Sequence, residues 1–191
     1  MRKTRDIRVI RTQTALLEAL EEILKTKKLS NVSITELCNV ASINRNTFYY
    51  HYNNIFDFLD EHKKIIIDEL NDISDVSKTH SEDNLIEIIR CISHHPHFIN
   101  IIISPNCDLD FFSQIFDIAT KKTSVFLADK NKEQTSRHKL LSAYCNAGSN
   151  AVMIAWVLNG MKEKPEELAD IIWDAAKNGV FPLMFPGKKF K

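Results

Sequence analysis

An all-α fold follows from three features of this 191-residue sequence. Apolar residues recur at three-to-four-residue spacing along most of the chain, the mark of amphipathic helices. No segment shows the period-two alternation that a half-buried strand needs. Only four glycines occur, Gly148, Gly160, Gly179 and Gly187, so the first 147 residues lack the glycine that favours tight hairpins and phosphate-binding loops.

The first helix is expected over about residues 5–27, with Ile7, Ile10, Leu17, Leu20 and Leu24 on one side and Arg8, Arg11, Glu18, Glu21 and Glu22 on the other. Ser33-Ile34-Thr35-Glu36 forms a capping box: the Ser33 hydroxyl caps the helix and Glu36 reaches back. A short helix over about 34–41 follows, with Ile34, Leu37, Cys38 and Ala41 inward. Ser42-Ile43 is a turn, and Asn44 caps a second short helix over about 45–51. Asn53-Asn54 ends it. A longer helix over about 55–76 counts Phe56, Leu59, Ile66 and Leu70 among its apolar positions.

The polar run from Ser77 to Asp83 reads as a loop between a head and a body. Body helices are expected at about 84–93, 96–103, 108–129, 134–159 and 166–178. Pro96 and Pro165 suit a first helical turn, and Gly160 and Gly179 suit helix C-termini. The chain thus divides into residues 1–55, a helix-turn-helix head, and residues 56–191, a helical bundle for regulation and dimerisation.

Charge points the same way. The chain is neutral overall, but residues 1–52 hold nine Lys/Arg against five Asp/Glu, and Arg2, Lys3, Arg5, Arg8 and Arg11 crowd the start. A basic arm on a neutral chain implies a local polyanion contact. The second short helix reads Arg45-Asn46-Thr47-Phe48-Tyr49-Tyr50-His51-Tyr52. Phe48 is its inward anchor and Tyr52 packs beside it. The outward side carries no acid and is rich in donors. Arginine forks onto guanine, asparagine reads adenine, and hydroxyls hold phosphate oxygens.

The stretch Ser33-Ile34-Thr35-Glu36-Leu37-Cys38-Asn39-Val40-Ala41-Ser42-Ile43-Asn44-Arg45-Asn46-Thr47-Phe48-Tyr49-Tyr50-His51-Tyr52 resembles the DNA-binding core of the tetracycline-repressor (TetR) family. That pattern runs T-[VI]-x-x-[IL]-A-x-x-A-G-V-S-x-x-T-[FL]-Y-x-[HY]-F. The resemblance spans Thr12 to Leu59, about a quarter of the chain. It implies a homodimer on a palindromic double-stranded DNA operator, controlled by a small-molecule effector. It also implies site roles: Ser33 and Thr35 meet phosphates; Arg45, Asn46 and Tyr50 read base edges; Thr47, Tyr49 and His51 hold the backbone; Asn44 caps the reading helix. Three departures matter. Ser42 replaces the turn glycine, so it must tolerate a left-handed or strained conformation, or the turn differs slightly. Asn44 replaces a serine cap. Ile55 stands where a lysine often contacts phosphate.

Further on, Gly148, Trp156-x-x-x-Gly160 and Lys164-Pro165-Glu166-Glu167-Leu168-Ala169 resemble a TetR subgroup that includes regulators of dihydroxyacetone kinase operons. In the family the last two long helices pair with their mates. Ala147, Gly148, Ala151 and Ala155 would allow close approach, and Leu168, Ile171, Ile172 and Ala175 form an apolar stripe. The stripes also suit the chain's own core. Phe98, Phe112, Phe116, Tyr144 and Trp156 are candidates for an effector pocket, against the plainer reading of core aromatics. A body that binds a protein partner instead of a small ligand is the alternative.

Other chemistry finds little support. Cys38, Cys91, Cys107 and Cys145 are scattered, with no C-x-x-C pair. His94, His95 and His97 read as a polar corner rather than a metal site, since Pro96 interrupts them. Neither a nucleophile–base pair nor a cofactor loop is visible, so no enzyme, metal or cofactor is expected. The absence of a signal-peptide core or a long apolar run leads to the expectation of a cytoplasmic protein with no membrane association.

Overall fold

The computed structural model describes residues 7–73, 81–107, 109, 111, 114, 115, 118 and 135–184. Among these no strand occurs. The helices are α1 (Ile7–Leu24), α2 (Ile34–Val40), α3 (Arg45–His51), α4 (Ile55–Asp72), α5 (Ser81–Ser93), α6 (Pro96–Ile103), α7 (Ser136–Leu158), α8 (Pro165–Ala175) and the short α9 (Phe181–Met184). The expected helix at 108–129 and the basic positions Arg2, Lys3 and Arg5 fall mainly or wholly outside the described residues. Two compact units separate at Ile65/Ile66, His94/His95 and Phe112/Ser113, so α6 belongs to the same unit as α1, α2 and α3.

In the first unit, α1 packs on α2 and on α6, and α2 packs on α3. Leu16, Leu20 and Leu24 of α1 are buried with Leu37, Phe48, Phe58, Leu59 and Phe98. Ile7 and Ile10 are instead exposed, so the apolar stripe of α1 is sealed only from Gln13 onward. On α4 the inward ring is Phe58, while Phe56 is half exposed. Polar ties fasten α6 to α1. The His97 imidazole meets Glu21 through Nδ1 at 2.7 Å and Glu18 through Nε2 at 3.4 Å. Asn100 donates to the other Glu21 oxygen at 2.8 Å. Beyond α6, the Asn106 amide donates to the Leu24 carbonyl, and the Leu29 N–H donates to the Asn106 carbonyl, each at 2.8 Å. The histidine corner is therefore a strut to α1 in which His97 has a defined partner.

In the second unit, Ile66 and Leu70 of α4, Ile88, Ile89 and Ile92 of α5 and Leu168 and Ala169 of α8 are buried. α5 packs on α8. The Arg90 guanidinium joins Glu87 on its own helix to Glu166 on α8. Glu166 is held below its ordinary carboxylate range chiefly by that hydrogen bond. α7 ends in a Schellman motif: Met161 N–H donates to the Trp156 carbonyl and Gly160 N–H to that of Val157, both at 2.9 Å. Gly160 takes φ +82°, as its position in the sequence leads one to expect.

Gly179 does not end a helix. α8 runs into a π-turn over Ala176–Val180 and on into α9. Val180, Phe181 and Met184 supply the reason, since they are buried with Ala176 and partly buried Leu141, Cys145 and Trp173. Burying those side chains requires the backbone to keep coiling. Pro182, which has no N–H to give, then follows the wider turn without breaking a regular ladder.

Candidate nucleic-acid interface

The turn between α2 and α3 is built by local rules. Ser33 Oγ accepts from Glu36 N–H at 3.1 Å. Glu36 is held below its ordinary pKa, first by the hydrogen bond from Lys27 Nζ at 2.7 Å and also by the Ser33 backbone. Ser33 thus caps α2, and the Glu36 carboxylate is engaged by Lys27. α2 ends in another Schellman motif, with Ile43 N–H on the Cys38 carbonyl and Ser42 N–H on that of Asn39. Ser42 occupies the left-handed position at φ 56°. Asn44 Oδ1 then accepts from Asn46 N–H at 2.8 Å and starts α3.

Phe48 is wholly buried and Tyr52 nearly so, which fixes one face of α3 inward. The rings of Phe48, Tyr52 and Phe58 pack with centroids 5.0–6.2 Å apart. The opposite face is solvent-exposed. Ser33, Thr35, Asn44, Arg45, Asn46, Thr47, Tyr49, Tyr50 and His51 are all exposed, and Tyr50 reaches 84%. Arg45 Nη1 lies 3.4 Å from Thr35 Oγ1, which joins the start of α2 to the start of α3 on this surface. Tyr50 and His51 rings meet edge-on at 4.8 Å. Arg8 and Arg11 are exposed on α1. Ile55 is buried, so it packs where a lysine would have reached out. The geometry presents one short helix, two turns long, whose free face offers guanidinium, amide, hydroxyl and imidazole groups and no carboxylate.

Two buried polar side chains of this unit escape a reading by helix periodicity. Gln13 Nε2 donates to the Tyr52 hydroxyl at 2.7 Å. His62 Nδ1 contacts the Phe58 carbonyl at 2.9 Å, and its ring lies between those of Phe58 and Phe98. A signal for Gln13 existed: it continues the inward series of Leu16, Leu20 and Leu24 by one turn as a polar residue on an apolar face.

The second unit carries a different surface. Leu140, Tyr144, Ala147, Gly148, Ala151, Ala155 and Leu158 fall on one exposed side of α7. An open groove of ≈ 510 Å³ runs along it, lined by Leu141, Tyr144, Gly148, Ile172, Val180 and Leu183, among others. The stripe expected on α8 divides: Leu168 and Ile172 are buried, while Ile171 and Ala175 are exposed.

Of the five candidate pocket aromatics, three lie among the described residues. Phe98 is buried in the first unit, stacked with Phe111. Trp156 is buried in the second and donates Nε1–H to the Glu163 carbonyl at 3.0 Å. Tyr144 is 71% exposed on the groove face. Phe112 and Phe116 lie outside the described residues. Among the described residues no cluster of metal-ligating groups occurs, and no helix is long and apolar enough to cross a membrane.

Residues 79–178 match the TetR-type family model described as a transcriptional regulator C-terminal region. An HTH-type transcriptional regulator of Bacillus subtilis strain 168, YxbF, is 19% identical over 188 residues. That alignment covers 91% of this chain and 48% of the relative, so the chain spans about half the relative's length. Among solved structures, the dihydroxyacetone kinase operon activator DhaS superposes with a TM-score of 0.57 at 18% identity, covering 90% of this chain and 97% of that one. NalD of Pseudomonas aeruginosa, the secondary repressor of the MexAB-OprM efflux pump, gives 0.54 at 15%, covering 90% and 96%. The fatty acid degradation regulator FadR of Bacillus halodurans gives 0.53 at 11%, covering 98% and 100%. These likenesses carry the fold, and the family model reaches over half of the chain. The chain belongs to the TetR family of transcriptional regulators.

Proposed function

We propose that this chain is a homodimeric regulator that binds a palindromic operator through α3 and responds to a small-molecule effector. One observation carries the DNA contact: α3 hides Phe48 and Tyr52 and turns Arg45, Asn46, Thr47, Tyr49, Tyr50 and His51 outward, with no acid among them. A solvated helix face has no need of such a set. Arg45, Asn46 and Tyr50 are assigned to base edges, and Ser33, Thr35, Thr47, Tyr49 and His51 to phosphates and sugars. The exposed small and apolar stripe of α7, with Ile171 and Leu183, is assigned to a second copy of this chain. A symmetric pair places two α3 helices on two half-sites, which is why operator symmetry mirrors that of the protein.

The effector acts by shifting the population between dimer states whose α3 helices do or do not fit successive grooves. Family membership supports this part. Selection of duplexes from genomic fragments, followed by footprinting and light scattering, tests the whole. The expected result is a protected palindrome and a mass of two chains. A protein that enriches no sequence, or stays monomeric at micromolar concentration, refutes the proposal.

A further inference from the structure

We propose that Gln13 is a positioning residue for α3: its buried hydrogen bond to Tyr52 sets the rotation of that helix and so the aim of Arg45, Asn46 and Tyr50. The inference rests on the reading of α3 as the DNA-contacting helix. Both groups are buried, and the donor–acceptor distance is 2.7 Å across 39 residues of chain.

The surroundings explain why this contact matters beyond packing. α3 has seven residues, too few to hold their own shape or direction without tertiary support. Its start is fastened by the Asn44 cap. Its end is held by Tyr52, whose ring sits among those of Phe48 and Phe58. Ring burial is far less directional than a hydrogen bond and tolerates small slides. A hydrogen bond is confined to a narrow range of length and angle. A phenylalanine ring would fill the same space among Phe48 and Phe58, so packing alone does not require a hydroxyl. The hydroxyl receives the Gln13 amide, and α1 thereby ties directly to the end of α3. A rotation of about 10° at the roughly 6 Å radius of a helix moves side chains by about 1 Å, the scale on which a bidentate base contact is made or lost.

The test uses the full-length protein in three variants: Gln13→Met, Tyr52→Phe, and both together. Each single variant breaks the buried Gln13–Tyr52 hydrogen bond, so each should melt earlier. The double variant removes both groups while keeping the volume, and its melting temperature should return toward wild type. Positioning predicts that the double variant still loses about tenfold in the ratio of operator to scrambled-duplex affinity, the worth of one good base contact. It also predicts faster hydrogen exchange at Thr47, Phe48 and Tyr52 N–H, which bond along α3 and its caps, with no change at Ala41 N–H, which caps the end of α2.

Full recovery of selectivity and exchange in the double variant would overturn the proposal and leave the bond a purely structural one. If the double variant fails to fold, Tyr52→Phe alone supports the same comparison, since it keeps the ring. If wild type itself selects no duplex, the DNA reading fails separately, and the exchange rates alone then decide whether Gln13 holds α3.

Discussion

Gly148→Gln separates the stability of the chain from its association. Gly148 lies deep within α7, far from either end, and a Cβ built there meets no atom within 4 Å. The substitution therefore has room within one chain. Replacing a helix-interior glycine with a good helix former should stabilise that helix by about 0.5–1 kcal/mol. The same position faces the groove bordered by Tyr144 and Leu183, and its neighbours on the exposed side are Ala147, Ala151 and Ala155. If a second copy packs here, the small residues set how closely the helices approach, and a glutamine must push them apart. Overpacking costs about 1–3 kcal/mol per site. A two-fold interface contains the change twice, so association should weaken by about 2–6 kcal/mol, or roughly 30-fold to 10⁴-fold in Kd. Sedimentation equilibrium from nanomolar to micromolar concentration reads the Kd, and circular dichroism reads the helix content. The expected result is unchanged helicity with a shift to monomer. An unchanged Kd with intact helicity would falsify the assignment of this face to a second copy.

Three other outcomes are expected. Ser42→Gly relieves a non-glycine residue held at φ 56°; the left-handed strain of about 1–2 kcal/mol, less glycine's extra chain entropy, leaves a gain of about 0.5–1 kcal/mol, seen as a melting temperature about 1–4 °C higher. A lower melting temperature would mean that the serine side chain contributes more than its backbone strain removes. Arg45→Ala should cost about 1–3 kcal/mol on operator DNA and little on scrambled DNA, whereas Tyr49→Phe should weaken both alike, as competition binding at fixed salt will show; equal losses for Arg45→Ala would make it a phosphate clamp. Burial, with the Glu69 carboxylate beside it, pushes the Cys91 thiol up to about 12, so at pH 8 only about one molecule in 10⁴ carries the reactive thiolate. Mass spectrometry after timed alkylation should find Cys91 modified far more slowly than half-exposed Cys107, with its rate climbing as pH rises toward 12; comparable rates at pH 8 would contradict the buried, neutral thiol.

Much of the head was legible because its rules are local. The Ser33 cap, the Asn44 cap and the turn at Ser42 each involve residues within three or four positions, and the structure places the two caps as the spacing requires and takes Ser42 left-handed. The inward face of α3 followed from Phe48 and Tyr52, one helical turn apart. The same local logic failed where burial, not backbone chemistry, decided the outcome. Gly179 carries a terminator's identity, yet Val180, Phe181 and Met184 gain more from burial than the helix gains from stopping. Ile7, Ile10 and Phe56 have the right spacing but no element described against them, so they remain exposed.

Sequence alone therefore determined most of the described helices, the Ser33 and Asn44 caps and the donor-rich face of α3, since these depend on intervals of three and four residues; it missed the start of α5 at Ser81 and the continuation past Gly179. Tertiary structure alone decided which distant residues meet: Gln13 with Tyr52 across 39 positions, His97 with Glu21 across 76, and Asn106 with Leu24 across 82. Tertiary structure also decided that Tyr144 faces solvent beside Gly148 while Trp156 is buried. Periodicity reveals that a helix has an apolar side. It carries no information on which other helix, or which other chain, will cover that side, because burial is a property of the assembled surfaces and depends on partners that spacing along one helix cannot name.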